Sequence, residues 1–509
     1  MKKFVFQLAL ISSVFTAVAQ ENLSYQTPPK EIVALADYQR APSVSMDSKK
    51  QYMVLSYRNT YKSLEDLNQV EMKLGGLRIN PVTNISSTVT YVNNLSVRKI
   101  SDKEEIKVKD LPENPRIANM VWSPNETKMA FTHTSSLGLE LWILDVASAT
   151  ASKVSNRLLN GNLGNPMSWF NDSESLLVKV LPANRPPLID AAKDIPKGPI
   201  VSSGDGYVTQ NRTYQDLLKN KTDEANFEVL VTSELYKITL NGNETLYKRA
   251  DMYTDESISP DNKYIMITTL KKPFSYVVPL NRFPSKSVVY EDQGKEVKVV
   301  NEVPLNEIMP KGFSSTRKGK RSMNWRNDQP ASLYYVVALD EGDQAKKVDF
   351  RDELFSWEAP FTTEPLALAK MQQRYAGVMW GNETTAILMD QWYDTRNSKT
   401  YLINPSNPQG TSKIIYDRNY QDVYSDPGSF QTKKNAWGKY TLMMEGTNMY
   451  LIGAGHSKEG QFPFIDEFNA TTLKTKRLYQ STLKDKKEDI LSIEDLKKGD
   501  VLVMIQSAS

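Results

Sequence analysis

With two histidines and no cysteine in 509 residues, the search for nucleophile and metal chemistry is short. Gly455-His456-Ser457-Lys458-Glu459-Gly460 sets an imidazole beside a hydroxyl between glycines, nearly spelling a nucleophile elbow. A serine-hydrolase elbow needs small residues two before and two after the nucleophile, because its strained strand-to-helix turn admits nothing bulky. Glu459 fills the second of those places. The following Gln461-Phe462-Pro463-Phe464 reads as extended, so the expectation is a surface hairpin turn. His133, behind Phe131-Thr132, reads as the polar end of a buried strand. No catalytic residue is assigned. The carboxylate neighbours Asp172/Glu174, Glu353/Glu358 and Asp466/Glu467 have the groups of a glycosidase pair, but that chemistry needs two acids converging on one bond. Spacing along the chain does not show that any two converge, and solvated loop charges are the expectation for most of them. A zinc site of His and Cys ligands cannot be assembled in the usual ways. Neither an Asp-x-Asp-x-Asn-Gly calcium loop nor a glycine-rich phosphate loop occurs, so no metal and no cofactor are expected.

What the sequence does repeat is a turn that feeds a strand. Ser259-Pro260-Asp261-Asn262-Lys263-Tyr264 runs into Ile265-Met266-Ile267-Thr268-Thr269. Proline presets one turn dihedral, Asp and Asn tolerate tight and left-handed positions, and the β-branched run behind them suits a buried strand. Trp122-Ser123-Pro124-Asn125 before Met129-Ala130-Phe131 has the same grammar. Weaker copies stand at Trp169-Phe170-Asn171-Asp172, Trp325-Arg326-Asn327-Asp328 and Met46-Asp47-Ser48-Lys49. A further strand type recurs at residues 139–146, 234–240 and 400–405. In the first of these, alternation puts Leu141 and Ile143 on one side and Trp142 and Leu144 on the other. Turns spaced near the roughly 40–50 residues of a four-stranded blade indicate an all-β fold, a β-propeller. No βαβ rhythm appears, which disfavours doubly wound folds.

Other segments interrupt the repeat. Pro28-Pro29 leads a short arm with one or two helical turns at residues 30–36, and Ser63-Leu64-Glu65-Asp66-Leu67 has the spacing of a capped short helix. The largest insertion, residues 182–226, is rich in Pro, Gly and Lys and has a helix-like piece at Tyr214-Gln215-Asp216-Leu217-Leu218. A loop of that length in a compact domain is either functional, as a lid or channel wall, or disordered.

The chain is 40% hydrophobic and 24% charged with net charge +3, which describes a globular protein and points to neither nucleic acid nor a membrane surface. Met1-Lys2-Lys3, the apolar Phe4–Ile11 run and Ala17-Val18-Ala19 read as a secretory signal peptide, too short in its apolar part to be a lasting membrane span. The expected layout is a signal peptide at 1–19, an N-terminal arm at 20–44 and the propeller at 45–509. Export to the periplasm or the extracellular space follows cleavage near Ala19. No membrane span is expected elsewhere.

Several strings are similar to a known family. Pro273-Phe274-Ser275-Tyr276-Val277-Val278-Pro279, Arg282-Phe283-Pro284, Arg212-Thr213-Tyr214-Gln215-Asp216-Leu217-Leu218, Pro196-Lys197-Gly198-Pro199, Arg374-Tyr375-Ala376-Gly377 and residues 422–428 resemble the propeller of the glutamyl endopeptidase branch of the prolyl oligopeptidase family of serine peptidases. The resemblance implies a seven-bladed propeller. It also implies an α/β-hydrolase domain, normally in the same chain, that carries the catalytic triad, with cleavage after glutamate. The sequence reaches Ser509 without the residues of that domain, so the expected role is gating of peptide or unfolded protein substrates, not catalysis by this chain alone. A free-standing exported propeller that binds peptide or protein is the alternative. Cationic loop residues would favour acidic segments through the local field. Lys197 and Arg212, in the long insertion, are the substrate-channel candidates.

Overall fold

The repeated turn has one construction. At Ser259 the backbone N–H donates to the Tyr264 carbonyl (2.8 Å), while the hydroxyl donates to Asp261 Oδ1 (2.7 Å) and accepts the Tyr264 N–H (3.0 Å). Asn262 takes the left-handed conformation at φ 63°. Ser123 repeats these bonds with Lys128 and Asn125, and Glu126 stands at φ 59°. In the copy at Asp47 a carboxylate oxygen accepts the N–H groups of Gln51 (2.7 Å) and Tyr52 (2.9 Å). Short polar side chains thus satisfy backbone groups that the turn would otherwise strand.

In the computed structural model, which describes residues 26–190, 192–193, 198, 213–408, 410, 412–496 and 498–507, each such turn joins the inner and second strands of an antiparallel sheet. Seven four-strand blades follow one another along the chain, the seventh with one extra short strand. Blade 1 is Ser43–Met46, Tyr52–Tyr57, Asn94–Lys99 and Glu105–Lys107; blade 2 runs from Ile117–Trp122 to Thr150–Lys153. Blade 3 is Met167–Trp169, Ser175–Val180, Ser233–Thr239 and Glu244–Asp251; blade 4 runs from Tyr253–Ile258 to Glu296–Val303. Blade 5 runs from Arg321–Trp325 to Leu366–Met371 and blade 6 from Arg374–Asn382 to Lys413–Asn419. Blade 7 is Ser429–Phe430, Asn448–Gly453, Phe464–Asn469 and Thr475–Gln480. The all-β propeller expected from the repeat, with seven complete blades, is the fold found.

The core lies between blades. Leu141 and Ile143 pack with Met167, Trp169, Leu176 and Val178 of blade 3, whereas Leu144 and Trp142 turn to Val54 and Leu95 of blade 1. The alternation read from the sequence therefore assigns the two faces correctly. The same kind of contact joins blades 3 and 4 through Leu235 and Ile265, and blades 4 and 5 through Val289 and Trp325. Val336 with Trp380 and Ile387 with Phe430 continue it through blades 5, 6 and 7. A strand buried on both faces can be apolar at every position, which is why Ser175–Val180 is buried throughout.

One end of the barrel of blades carries the inner-to-second turns, and the other carries the second-to-third connections, which hold most of the extra sequence. Three of the latter fuse into a cap. The hairpin Met72–Leu74/Leu77–Asn80 comes from blade 1, helix Lys221–Val231 from blade 3, and the loop 271–284 from blade 4. Phe227, fully buried, sits at their junction edge-on to Phe274 (5.1 Å) and Phe283 (6.0 Å). Gly75 and Gly76 turn the hairpin with φ 61° and 88°, and a Cβ on Gly76 would meet Pro279 Cβ at 2.9 Å, so the close approach requires glycine.

The helix-like piece expected at Tyr214–Leu218 is not helical. Asp216 stands at φ 58°, its carbonyl accepts the Gly76 N–H (2.8 Å) and its carboxylate binds Arg78 (2.8 Å), so docking onto the blade 1 hairpin overrides local propensity. The helix begins after it at Lys221, where Asn220 Oδ1 accepts the Asp223 N–H (2.7 Å). The short helices expected in the arm and after Ser63 are present at Lys30–Ala36 and Leu64–Leu67, the second with a Ser63/Asp66 capping box. No helix among the described residues is long and apolar enough to cross a membrane.

Candidate functional site

At the turn end, a hairpin crosses the mouth. The strands Thr432–Lys434 and Tyr440–Leu442 leave blade 7 between its inner and second strands. Asn435 Nδ2 donates to the Asn327 carbonyl (2.7 Å) and Asn327 Nδ2 to the Tyr440 carbonyl (2.9 Å), which fastens the hairpin to the blade 5 turn. On the far side the Lys434 ammonium pairs with Glu126 of the blade 2 turn, and Gly438 lies against Pro124. Glu126 also accepts the backbone N–H (3.0 Å) and hydroxyl of Ser48 in blade 1.

Burial alone would raise the Glu126 pKa, but the hydrogen bonds from Lys434 and Ser48 outweigh it and hold the carboxyl below its usual range. A carboxyl depressed by folding contributes stability that is present above its unfolded pKa and is lost as the pH falls through the folded one. The protection of amides across residues 432–442, taken relative to the intrinsic exchange rate at each pH, is therefore expected to be high at neutral pH and to drop as the pH falls below about 4. In Lys434→Met the low protection should appear at neutral pH, with a local cost of ~1–3 kcal/mol for the unpaired carboxylate. Exchange in Lys434→Met matching the parent at pH 7 would show that the ion pair does not hold the hairpin.

At the opposite end, between the arm and blades 1 and 2, lies a cleft of about 890 Å³. Arg40, Arg58, Lys62 and Arg116 line it, against Glu65 and Asp66. Arg116 is neutralised by Asp66 (2.9 Å) and lies over the Tyr91 ring at 4.3 Å; Lys62 donates to the Thr88 carbonyl (2.9 Å). Arg40 and Arg58 have no ion pair among the described residues. Thr60 Oγ1 donates to the Tyr38 carbonyl (2.8 Å) and ties the arm to the wall. Such a cleft suits an extended, acidic segment. The Ser63 hydroxyl in its wall donates to Asp66 Oδ2 (3.0 Å) as part of the capping box of the helix Leu64–Leu67.

The candidates Lys197 and Arg212 lie outside the described residues. The described start of the same insertion holds a cation that sequence reasoning missed, Arg185. Its Nη1 donates to Asn84 Oδ1 (2.7 Å) and its Nε to the Val229 carbonyl (3.2 Å), while Nη2 is buried without a hydrogen-bond partner. Burial lowers its pKa. Only its place in the insertion could have pointed to it.

His456 and Ser457 form the expected surface turn: Ser457 N donates to the Gly460 carbonyl (2.8 Å) and its hydroxyl donates to the same oxygen (3.1 Å). His133 ends the strand Lys128–Thr134, buried, with Nδ1 accepting the Arg116 N–H (3.2 Å); burial lowers its pKa. Asp172 serves its own turn by accepting the N–H groups of Glu174 and Ser175 (both 2.9 Å), and Asp466 pairs with Arg477. Asp172 and Asp466 are thus engaged in a turn and in an ion pair.

No family model matches the sequence. Among curated proteins, the probable chloroplastic glutamyl endopeptidase of Oryza sativa subsp. japonica is 34% identical over 493 residues, 92% of this chain and 52% of the relative. The protein of the same name from Arabidopsis thaliana is 31% identical over 523 residues, 96% of this chain and 53% of the relative. Among solved structures, a prolyl endopeptidase aligns over 94% of this chain and 56% of its own, at TM-score 0.41 and 12% identity. The β-propeller domain of the Trilobed protease from Pyrococcus furiosus aligns over 86% of this chain and 98% of its own, at TM-score 0.34 and 11% identity. The chain spans about half the length of the curated relatives it matches. It belongs to the glutamyl endopeptidase family, and the part it shares with those relatives folds as a β-propeller.

Proposed function

We propose that this chain is the substrate-gating propeller of an exported glutamyl-endopeptidase-type serine peptidase, inactive by itself. In this reading it admits peptides and unfolded segments to an α/β-hydrolase domain that carries the nucleophile. The observation that carries the reading is the hairpin 432–442, which spans the turn-end mouth between blades 2 and 5 and leaves the other end as the approach. A bar of that kind excludes folded proteins by size while a flexible strand passes the cap. The cleft of Arg40, Arg58, Lys62 and Arg116 supports a preference for acidic segments, since a cluster of cations on a low-dielectric wall concentrates anionic ligands. Lys197 and Arg212 extend that preference into the insertion. Export rests on the sequence of residues 1–19.

The test is binding by the isolated chain. A fluorescent glutamate-rich peptide should bind, with affinity falling as salt rises and falling at least about tenfold in Arg40→Ala/Arg58→Ala, the loss of two charge contacts. A folded acidic protein of the same charge should not bind. Equal binding of the folded protein would sink the gating reading, and binding indifferent to salt and to both arginines would sink the acidic preference.

A further inference from the structure

After blade 7 the chain forms one more antiparallel ribbon, Lys486–Asp495 with Asp500–Ser507. It packs as the first half of a blade would. In the blade 6–7 contact, the second and third strands of blade 6 supply Ile387 and Leu402, and the inner and second strands of blade 7 answer with Phe430, Met449 and Leu451. Against the ribbon, blade 7 supplies Tyr450 and Ile452 from its second strand and Ile465 from its third; the ribbon answers with Ile490, Ile493, Val501 and Val503. Lys486–Asp495 thus stands as an inner strand and Asp500–Ser507 as a second strand.

The ring of turns agrees. Ser48 of blade 1 bonds Glu126 of blade 2, Asn125 bonds Ser173 of blade 3 (3.0 Å), and Asn171 bonds Asn262 of blade 4 (2.9 Å). Glu494, next to the turn of the ribbon, meets Lys50 in the blade 1 turn at 3.8 Å. The ribbon therefore occupies the place between blade 7 and blade 1.

That place is half filled. In blade 3, Met167 pairs with Val178 and Trp169 with Leu176, and all four are buried against blade 2. In blade 1 the same register gives Val44 opposite Leu55 and Met46 opposite Met53. Ser45 points the other way, accepting the Trp122 Nε1–H of blade 2 (2.8 Å), so Val44 and Met46 face the ribbon. Yet Val44 is 54% exposed where Met167 is 1% exposed. On the ribbon, Leu502 and Met504 alternate to the face away from blade 7, and Met504 is 40% exposed. The outer edge of Asp500–Ser507 pairs with no strand among the described residues.

We propose that this edge accepts two further antiparallel strands that complete an eighth blade, with apolar residues of the added third strand covering Val44. The occupant is a hairpin of roughly 20–25 residues, half of a four-stranded blade, drawn from the part of the longer relatives that this chain does not span. An unpaired edge beside uncovered apolar residues is a template for strand addition.

The test compares the chain with a version extended after Ser507 by the 25 residues that follow the aligned region in the Oryza sativa relative. By hydrogen exchange, alternate amides of Asp500–Ser507 are expected to exchange freely in the unextended chain and at least about tenfold more slowly in the extended one. Val44→Lys should leave the thermal midpoint of the unextended chain unchanged and reduce that of the extended chain, which a merely tethered extension would not do. Unchanged exchange on extension overturns the proposal. So does protection in the unextended chain that rises with concentration together with a dimer mass, because the edge would then belong to a second copy.

Discussion

Arg374→Met is expected to destabilise the protein by ~3–5 kcal/mol, the range for stripping one partner from a buried ionic network. Arg374 opens the inner strand of blade 6 and reaches back between blades. Its Nη2 donates to Asp340 (2.6 Å), its Nη1 to Asp352 (3.0 Å) and its Nε to the Ser314 carbonyl (2.6 Å). Both carboxylates are buried, Asp352 completely. Asp340 keeps Arg351 (2.8 Å) and Asp352 keeps Arg321 and the Tyr375 N–H (2.7 Å), so the network is shared by five side chains.

Burial pushes the Asp340 pKa up, but the bonds from Arg374, Arg351 and Gly342 N–H more than offset it and hold the carboxyl below its usual value. Its stabilising contribution is present above the unfolded pKa and fades as the pH falls through the folded one. The deficit of Arg374→Met should therefore be largest at neutral pH and shrink below about pH 4, once Asp340 takes up a proton in either state. Arg374→Lys should recover only part of the loss, because a single ammonium cannot span two carboxylates and a carbonyl. Urea midpoints of the three proteins at neutral and acid pH measure this. A deficit independent of pH would assign Arg374 a packing role instead.

The second large effect is expected from Phe227→Ala, also ~3–5 kcal/mol, from lost burial plus the cavity left behind. Its consequence should be local. Phe227 ties the hairpin 72–80, the helix and the loop 271–284, and none of these contributes a strand to the ring. Hydrogen exchange should quicken in the hairpin, in Lys221–Val231 and in residues 274–283, with the strands of blades 5 and 6 unchanged. Loss of protection throughout the blades would mean that cap and ring unfold as one unit. Under the proposed gating role, a loosened cap with an intact ring should also widen the range of peptides that bind, because the cap stands at the end opposite the hairpin 432–442.

How far the sequence disclosed this can be followed residue by residue. The Ser259 and Ser123 turns were legible because their chemistry is local: one hydroxyl serves one strand end, and proline and asparagine mark the dihedrals. The alternation of Leu141 to Leu144 was legible because both faces of a blade are core. The cap was not. Phe227, Phe274, Gly75 and Pro279 come from three connections far apart in the chain, and nothing in any one of them announces the other two. Tyr214–Leu218 misled for a related reason, since a short amphipathic string carries no sign that Asp216 will be claimed by Gly76 and Arg78. The cationic cleft was equally hidden. Arg40, Arg58 and Arg116 belong to the arm, to the first blade and to the lead into the second, and only the ring brings them together.

The hairpin that bars the mouth also orders events in time. Lys434 and Glu126 are 308 residues apart in sequence, so the hairpin is made long after the turn it binds. A ribosome delivering the polypeptide from its N-terminus presents blade 2 and blade 5 long before the segment that links them exists. The blades must therefore hold by neighbour contacts alone until residues 432–442 emerge. Only then can the high-contact-order link form across the axis, which makes it a late step of folding. A nascent chain halted before Thr432 would carry six complete blades with the turn-end mouth unbarred, and its inner-to-second turns at Glu126 and Asn327 would wait without the hairpin they later bind.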